Sequence, residues 1–282
     1  MSELMTLTKR HIKTFLRDKV SVFFSFLSII ILLAIYLLFL GKVFSAIPGI
    51  DAAQQGRFTI GYIMGGVLVV GTLTLSLGVL GVYVTDLESK KINGFLVTPV
   101  SRQKLTLSYY IATVVVTLVL TIIMFLLASL YLGLNSGVWF NLMLVLQAIA
   151  VLTLFCFISV SLNMVIMTFV KSSNAFGTVS SLVGTLIGFI SGIYIPLTML
   201  DDFTQTIASI LPFSHMTMYL KKLLIGNDIL SKIPAKDIEG MGIVNLKLFG
   251  LEINDYLLFA IFTVISIGIL TISFYRMNKK AR

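Results

Sequence analysis

The sequence predicts an all-α integral membrane protein, and three observations carry that expectation. Of the 282 residues 57% are hydrophobic and only 12% charged, with a mean hydropathy of +1.02, whereas soluble domains carry about 25% charged residues. The apolar residues are gathered into runs long enough to cross a hydrocarbon core about 30 Å thick at about 1.5 Å per helical residue. The charged residues, in turn, collect in the breaks between those runs. A net charge of +9 fits lysines and arginines gathered on one side of a bilayer better than a nucleic-acid partner, and none is expected. The single cysteine, Cys156, lies within an apolar run, so no intrachain disulfide can form.

In chain order, residues 1–19 read as an amphipathic interfacial helix, with Leu4, Ile12, Phe15 and Leu16 on one side and Lys9, Arg10, Lys13 and Arg17 on the other. His11 falls at the apolar edge and reads as an interfacial bystander. The first apolar run is as long as a full span and follows Lys19, unlike a cleaved signal. Six spans are expected, over residues 20–40, 58–84, 105–132, 138–170, 175–195 and 256–275. The third and fourth form a hairpin, because the 66 uncharged residues from Leu105 to Val170 are too many for one crossing and Gly133 to Gly137 offers a turn. Lysines and arginines number 14 on the side of both termini (5, 4, 1 and 4 in residues 1–19, 86–104, 171 and 276–282) and 7 on the other. The termini therefore face the cytoplasm. Tyr83, Tyr109, Tyr110 and Tyr275 mark one interface; Tyr131, Trp139, Tyr194 and Tyr256 mark the other.

Between the second and third spans lies a charged island, residues 85–104. Thr85-x-x-Glu88 has capping-box spacing, and Asn93-Gly94 can end a helix, which gives a short helix of about two turns. Thr98-Pro99 then reads as a cap and first helical position of the next helix. In residues 196–255, Asp202 is expected to cap a short helix stopped by Pro212, and a second follows over His215 to Ile225, closed by Gly226. Both are too short to span and too apolar to stand in water, so they read as re-entrant helices; residues 229–254 read only as an outer loop or small cap.

Small residues recur at helical spacing in two spans: Gly177, Ser181, Gly184, Gly188 and Ser191 in the fifth, and more weakly Gly71, Thr74 and Gly78 in the second. Such faces let helices approach closely in lipid. They are candidates for helix packing or for a translocation path.

Two stretches resemble the type-2 export permeases of ATP-binding-cassette transporters. One is Glu88, Lys90, Gly94, Phe95, Leu96 and the Thr98-Pro99-Val100-Ser101-Arg102 run; the other is the Gly-x-Tyr-x-Pro sequence at Gly192 to Pro196 followed by Leu211-Pro212-Phe213. The island departs from the family pattern in having Phe95-Leu96-Val97 where such loops often carry Thr-Leu-Glu after the glycine. The resemblance implies a permease subunit in a cell membrane, bacterial by its kin, paired with a second permease subunit as a homo- or heterodimer. It also implies a separate cytoplasmic ATPase, so that ATP and magnesium are held by the partner and no cofactor by this chain. The coupling helix contacting that ATPase would comprise Asp86, Leu87, Glu88, Lys90, Lys91, Gly94 and Phe95, with Thr98, Pro99, Ser101 and Arg102 beyond it, and the second and fifth spans would line the path.

The sequence holds no catalytic or metal-ligand constellation. Gly41-Lys42 lacks both the upstream glycine and the following hydroxyl of a phosphate loop. The expected spans carry no ionisable residue, which argues against a proton-coupled carrier, and Ser191 has no histidine in the membrane to activate it. An amphiphilic or apolar cargo (a drug, a lipid, a peptide-like compound) follows from the uncharged spans. A secondary carrier and a non-transporting scaffold are the alternatives that ATP-dependent recruitment of a partner would exclude.

Overall fold

The computed structural model describes residues 3–35, 47, 49–243 and 253–280, and every regular element within them is helical. Helix α1 (Glu3–Arg17) turns at Asp18 into α2 (Lys19–Ile35); α3 (Ala52–Glu88), α4 (Lys91–Leu96), α5 (Arg102–Ser136), α6 (Leu142–Phe169) and α7 (Ser173–Ile190) follow. After a 3-10 turn (Leu197–Met199) come α8 (Asp202–Ile210), α9 (Pro212–Ile225), the short α10 (Asn227–Leu230) and α11 (Ala235–Gly240), and last α12 (Asp255–Lys280). Among the described residues five helices, α3, α5, α6, α7 and α12, are long and apolar enough to cross a membrane. Of the expected first span, α2 supplies 17 residues. Residues 36–40 of that expected span, residues 41–46 with Gly41-Lys42, Pro48, and residues 244–252 of the expected outer loop lie outside the described residues.

Helix α3 is the centre of the bundle: 72% of its most apolar stretch is buried, against 50% for α5 and 11% for α7. Helices α2, α5, α6, α7 and α9 all pack on it. Its glycines bring α9 close, since a Cβ on Gly65 would lie 2.7 Å from the Lys221 backbone nitrogen and one on Gly61 2.9 Å from that of Ile225. Close backbone approach suits helices in lipid, where burial of apolar surface no longer drives association. Polar pins fix the rotation of α6 against α3. Asn163 Nδ2 donates to Leu73 O (3.0 Å) and to Ser76 Oγ (2.6 Å), and the hydroxyls of Thr72 and Ser159 meet at 2.8 Å. Helix α12 covers α6 and α9, with Phe259 5.3 Å from Phe155 and 5.2 Å from Tyr219, ring centre to ring centre.

Several expectations are corrected at the helix ends. Thr85 caps nothing, because α3 starts at an Asp51–Gln54 capping box and runs unbroken to Glu88. The break comes at Lys90, in left-handed geometry (φ 58°), and Asn93-Gly94 lies inside α4 rather than ending it. Thr98-Pro99 forms the turn after α4, and Ser101 is the residue that caps α5, accepting from Lys104 N at 3.3 Å. Helix α5 continues through Gly133 and closes at Gly137. Asp201, not Asp202, caps α8, accepting from Thr204 N at 3.1 Å. Pro212 does not stop that helix but opens α9, where its missing N–H costs nothing.

Rotational expectations change as well. Helix α1 buries Leu7, His11 and Phe15, while Leu16 is exposed. Tyr109 and Tyr110 are buried inside the bundle rather than set at an interface, whereas Tyr131, Trp139, Tyr194, Tyr256 and Tyr275 are exposed. Lys221 of α9 is a charge the count of ionisable residues in spans did not reach. Only 1% exposed, it donates to Gly192 O at 3.4 Å and sits 3.7 Å from the Tyr62 ring centre.

Candidate functional site

A buried polar cluster sits where α1 docks on the ends of α3 and α5. Asp86, in the last turn of α3 and 2% exposed, accepts from both arms of the Arg10 guanidinium, Nη1 and, at 3.4 Å, Nη2. The Tyr109 hydroxyl of α5 donates to the same carboxylate at 2.7 Å. A buried carboxylate is tolerated because a guanidinium and a hydroxyl replace the water it has lost. Burial works to lower the Arg10 pKa, but the Asp86 carboxylate beside it outweighs that and raises it.

His11 completes the clamp. Its ring stacks on Tyr109 with centres 3.6 Å apart, Nε2 lies 3.0 Å from Ser108 Oγ, and Nδ1 lies 3.0 Å from Arg10 Nη1. Ser108 gives its hydroxyl proton to Leu105 O at 2.6 Å, so Nε2 must be the donor to Ser108 and Nδ1 the acceptor from Arg10. That arrangement needs neutral imidazole. Burial first and the Arg10 charge second push the His11 pKa down to about 3, against the pull of Asp86. His11 is therefore a fixed part of the joint and no bystander.

The clamp holds α4 by one face. Ile92 is buried with Leu7, Leu105 and Tyr109, and half-buried Phe95 lies under the Arg10 guanidinium at 5.1 Å. Lys90, Lys91, Asn93 and Gly94 face outward, and the element ends in Val97, an apolar side chain 87% exposed. Thr98 Oγ1 donates to Phe95 O at 2.6 Å and closes α4. Pro99 and Ser101 are exposed, and Arg102 and Leu87 half-buried. The expected coupling residues thus share one platform, with two exceptions. Asp86 turns inward to Arg10. Glu88 reaches sideways to the start of α7, accepting from the Ser173 amide at 3.1 Å and from its hydroxyl. Lys104 adds an ion pair to Glu3 at 2.9 Å, tying α5 to α1.

The small-residue candidates fall into two groups. Gly71 is buried and Thr74 half-buried, and a Cβ on Gly184 would lie 3.8 Å from Thr74 Cγ2, which marks where α3 and α7 meet. Gly78, Gly177 and Ser181 are exposed. Gly188 is covered within the chain, since a Cβ there would overlap the Tyr194 ring, and Ser191 is buried at the turn that follows. Ile187, beside Gly188, is buried as well.

Sequence reasoning missed Arg10 and Tyr109 as partners of Asp86, and Ser108 as the partner of His11. One signal was available: Leu7, His11 and Phe15 stand at four-residue spacing, which sets a single face of α1.

No curated protein matches the chain. The family model of the ABC-2 type transporter matches residues 2–225, a stretch that takes in α1, the clamp, α4, four of the five spanning helices and α9. The chain belongs to the ABC-2 type transporter family.

Proposed function

We propose that this multi-pass membrane protein is the permease subunit of an ATP-driven exporter in a cell membrane. In this reading two permease subunits form the path, α4 receives the stroke of a separate ATP-binding-cassette ATPase, and ATP and magnesium are held on that partner. The observation that carries it is α4 itself: rigidly held on its inner face by Ile92, Phe95 and the Arg10–Asp86 clamp, and bare on its outer face from Lys90 to Val97. A free two-turn helix is too short to be stable in water. Bound this way, α4 can pass a push into both α3 and α5, to which it is joined at its ends.

A sixth crossing that begins with α2 puts both termini on the cytoplasmic side, as the 14 to 7 distribution of lysine and arginine favours. Helix α7, with only 11% of its apolar stretch buried, offers the face for the second subunit and the path. Asn174, Thr178, Ser181 and Thr185 are exposed along it beside Leu182 and Leu186, a neutral surface suited to an amphiphilic cargo. Reconstitution with the ATPase tests the reading through three readouts: partner co-purification, ATP hydrolysis and cargo export. Val97→Asp should weaken partner binding and lower all three, and Gly94→Val should leave binding but reduce export per ATP. Normal values for both variants would remove α4 from the mechanism.

A further inference from the structure

A cavity of about 310 Å³ opens beside the clamp, between the α1–α2 turn, the end of α3 and the start of α7. Its lining carries both signs of charge: Lys91, in a long ion pair with the Asp86 carboxylate that also lines it, and Asp18. On one wall is Lys91, 59% exposed, whose nearest carboxylate oxygen, on Asp86, is 4.0 Å away and already serves Arg10. On another is Asp18. Its two oxygens take the Ser21 amide (3.0 Å) and hydroxyl (2.6 Å), and among the described residues no cation lies within ion-pair distance of it. Hydroxyls of Thr14, Thr85 and Ser173 and the rings of Phe15 and Phe176 complete the lining. Around Ser21, the first turns of α2 carry Val20, Phe23 and Phe24, all well exposed, an apolar apron next to the polar cavity.

We propose that this cavity holds the headgroup of a zwitterionic phospholipid, its phosphate on Lys91 and its primary ammonium on Asp18, with the acyl chains lying along the start of α2. An anionic headgroup would satisfy Lys91 but place negative charge beside Asp18. A quaternary ammonium has no N–H to give the carboxylate or the hydroxyls. A primary ammonium supplies three donors, and three groups that can accept them, Asp18, Thr14 and Thr85, line one cavity. The assignment needs only that the chain sits in a bilayer. It stands or falls apart from the ATPase reading.

The test uses the full chain in bilayers of equal phosphatidylethanolamine, phosphatidylglycerol and phosphatidylcholine, stripped with detergent and read by native mass spectrometry for retained lipid. Phosphatidylethanolamine should be retained over phosphatidylcholine by up to about fivefold, the worth of an ion pair on an exposed carboxylate such as Asp18. Asp18→Asn should erase the preference without lowering phosphatidylglycerol retention, Asp18→Glu should keep it, and Lys91→Gln should lower both phosphatidylethanolamine and phosphatidylglycerol. Equal retention of the three lipids by the unaltered protein, which needs no variant to fold, would overturn the proposal, as would a preference that survives Asp18→Asn. Displacement of the bound lipid by soluble glycerophosphoethanolamine at equal concentration would assign the cavity to a water-soluble compound and overturn the lipid assignment.

Discussion

Replacing Asp86 by asparagine keeps the size of the side chain but removes the charge on which the α1 joint is built. The carboxylate takes charge-assisted hydrogen bonds from Arg10 and Tyr109, and bonds of this kind are worth about 1.5–3 kcal/mol each. The loss is smaller than their sum, because the Arg10 side chain is 32% exposed and water recovers part of its solvation, and because the amide oxygen still accepts one bond. A net weakening of α1 docking by about 2 kcal/mol follows, which is roughly a thirtyfold rise in the undocked population. Leu7, buried against Ile92 and Leu105 in the docked state, reports that population when replaced by cysteine in a background with Cys156→Ala. Its maleimide labelling should accelerate by the same factor in Asp86→Asn. In Arg10→Met the further Asp86→Asn change should cost less than it does alone, a coupling of at least about 1 kcal/mol. Labelling that stays within twofold, or a coupling near zero, would falsify the clamp as the element that holds α1.

Three further outcomes are expected. Acid should loosen the same joint: His11 is neutral when docked and has its pKa pushed down to about 3 from 6.5, so released α1 binds the extra proton. Docking is then at full strength above pH 6.5 and is lost by up to about 1.4 kcal/mol per pH unit below it. His11→Gln should flatten that profile, and an unchanged slope would count against the neutral tautomer. Single cysteines at the exposed positions Ser89 and Asp237 should react with an impermeant reagent from opposite sides of the membrane; same-side labelling would contradict six crossings. Gly188→Leu should lower thermal stability by about 1–3 kcal/mol of overpacking against Tyr194 and be relieved by Tyr194→Ala, whereas Ser181→Leu on the exposed face of α7 should leave stability unchanged and reduce subunit pairing. If Ser181→Leu were destabilising and Gly188→Leu neutral, the assignment of the two faces would be reversed.

The spanning helices were legible in the sequence because apolar length is a local property: each run from the second span onward overlaps the helix found there. Their ends were less so. Thr85 reads as a cap only if a helix stops before it, and what carries α3 past Thr85 is a contact 76 residues away, Arg10 on Asp86. The face of α1 was misjudged for the same reason. A polar histidine scores against burial until Ser108 and Arg10 are known to satisfy both ring nitrogens. On α7 the small-residue stripe was visible, but spacing cannot say whether a neighbour within the chain already covers part of it, as Tyr194 covers Gly188. Lys221 escaped notice because it lies on a helix too short to be counted as a span, although its backbone packs directly on Gly65 of α3.

The length of α3 bears on how the two ends of the molecule communicate. Its 37 residues run without a break from Ala52 to Glu88, about 55 Å at 1.5 Å per residue. At one end it is fixed to α1 and α5 through Asp86; near the other it carries α9 through Gly61 and Gly65 and, through Lys221, the turn at Gly192 that ends α7. A helix of this kind bends only gently unless proline or an inserted group breaks its ladder, and α3 contains no proline. A tilt imposed on α4 by a partner would therefore arrive at α9 and at the end of α7 as a displacement rather than be absorbed on the way. Between those anchors Thr74 of α3 meets Gly184 of α7, a small side chain against none, with 3.8 Å from its Cγ2 to the place a Cβ on Gly184 would take. On the exporter reading, that is where the two helices can slide past each other while both ends of α3 stay fastened.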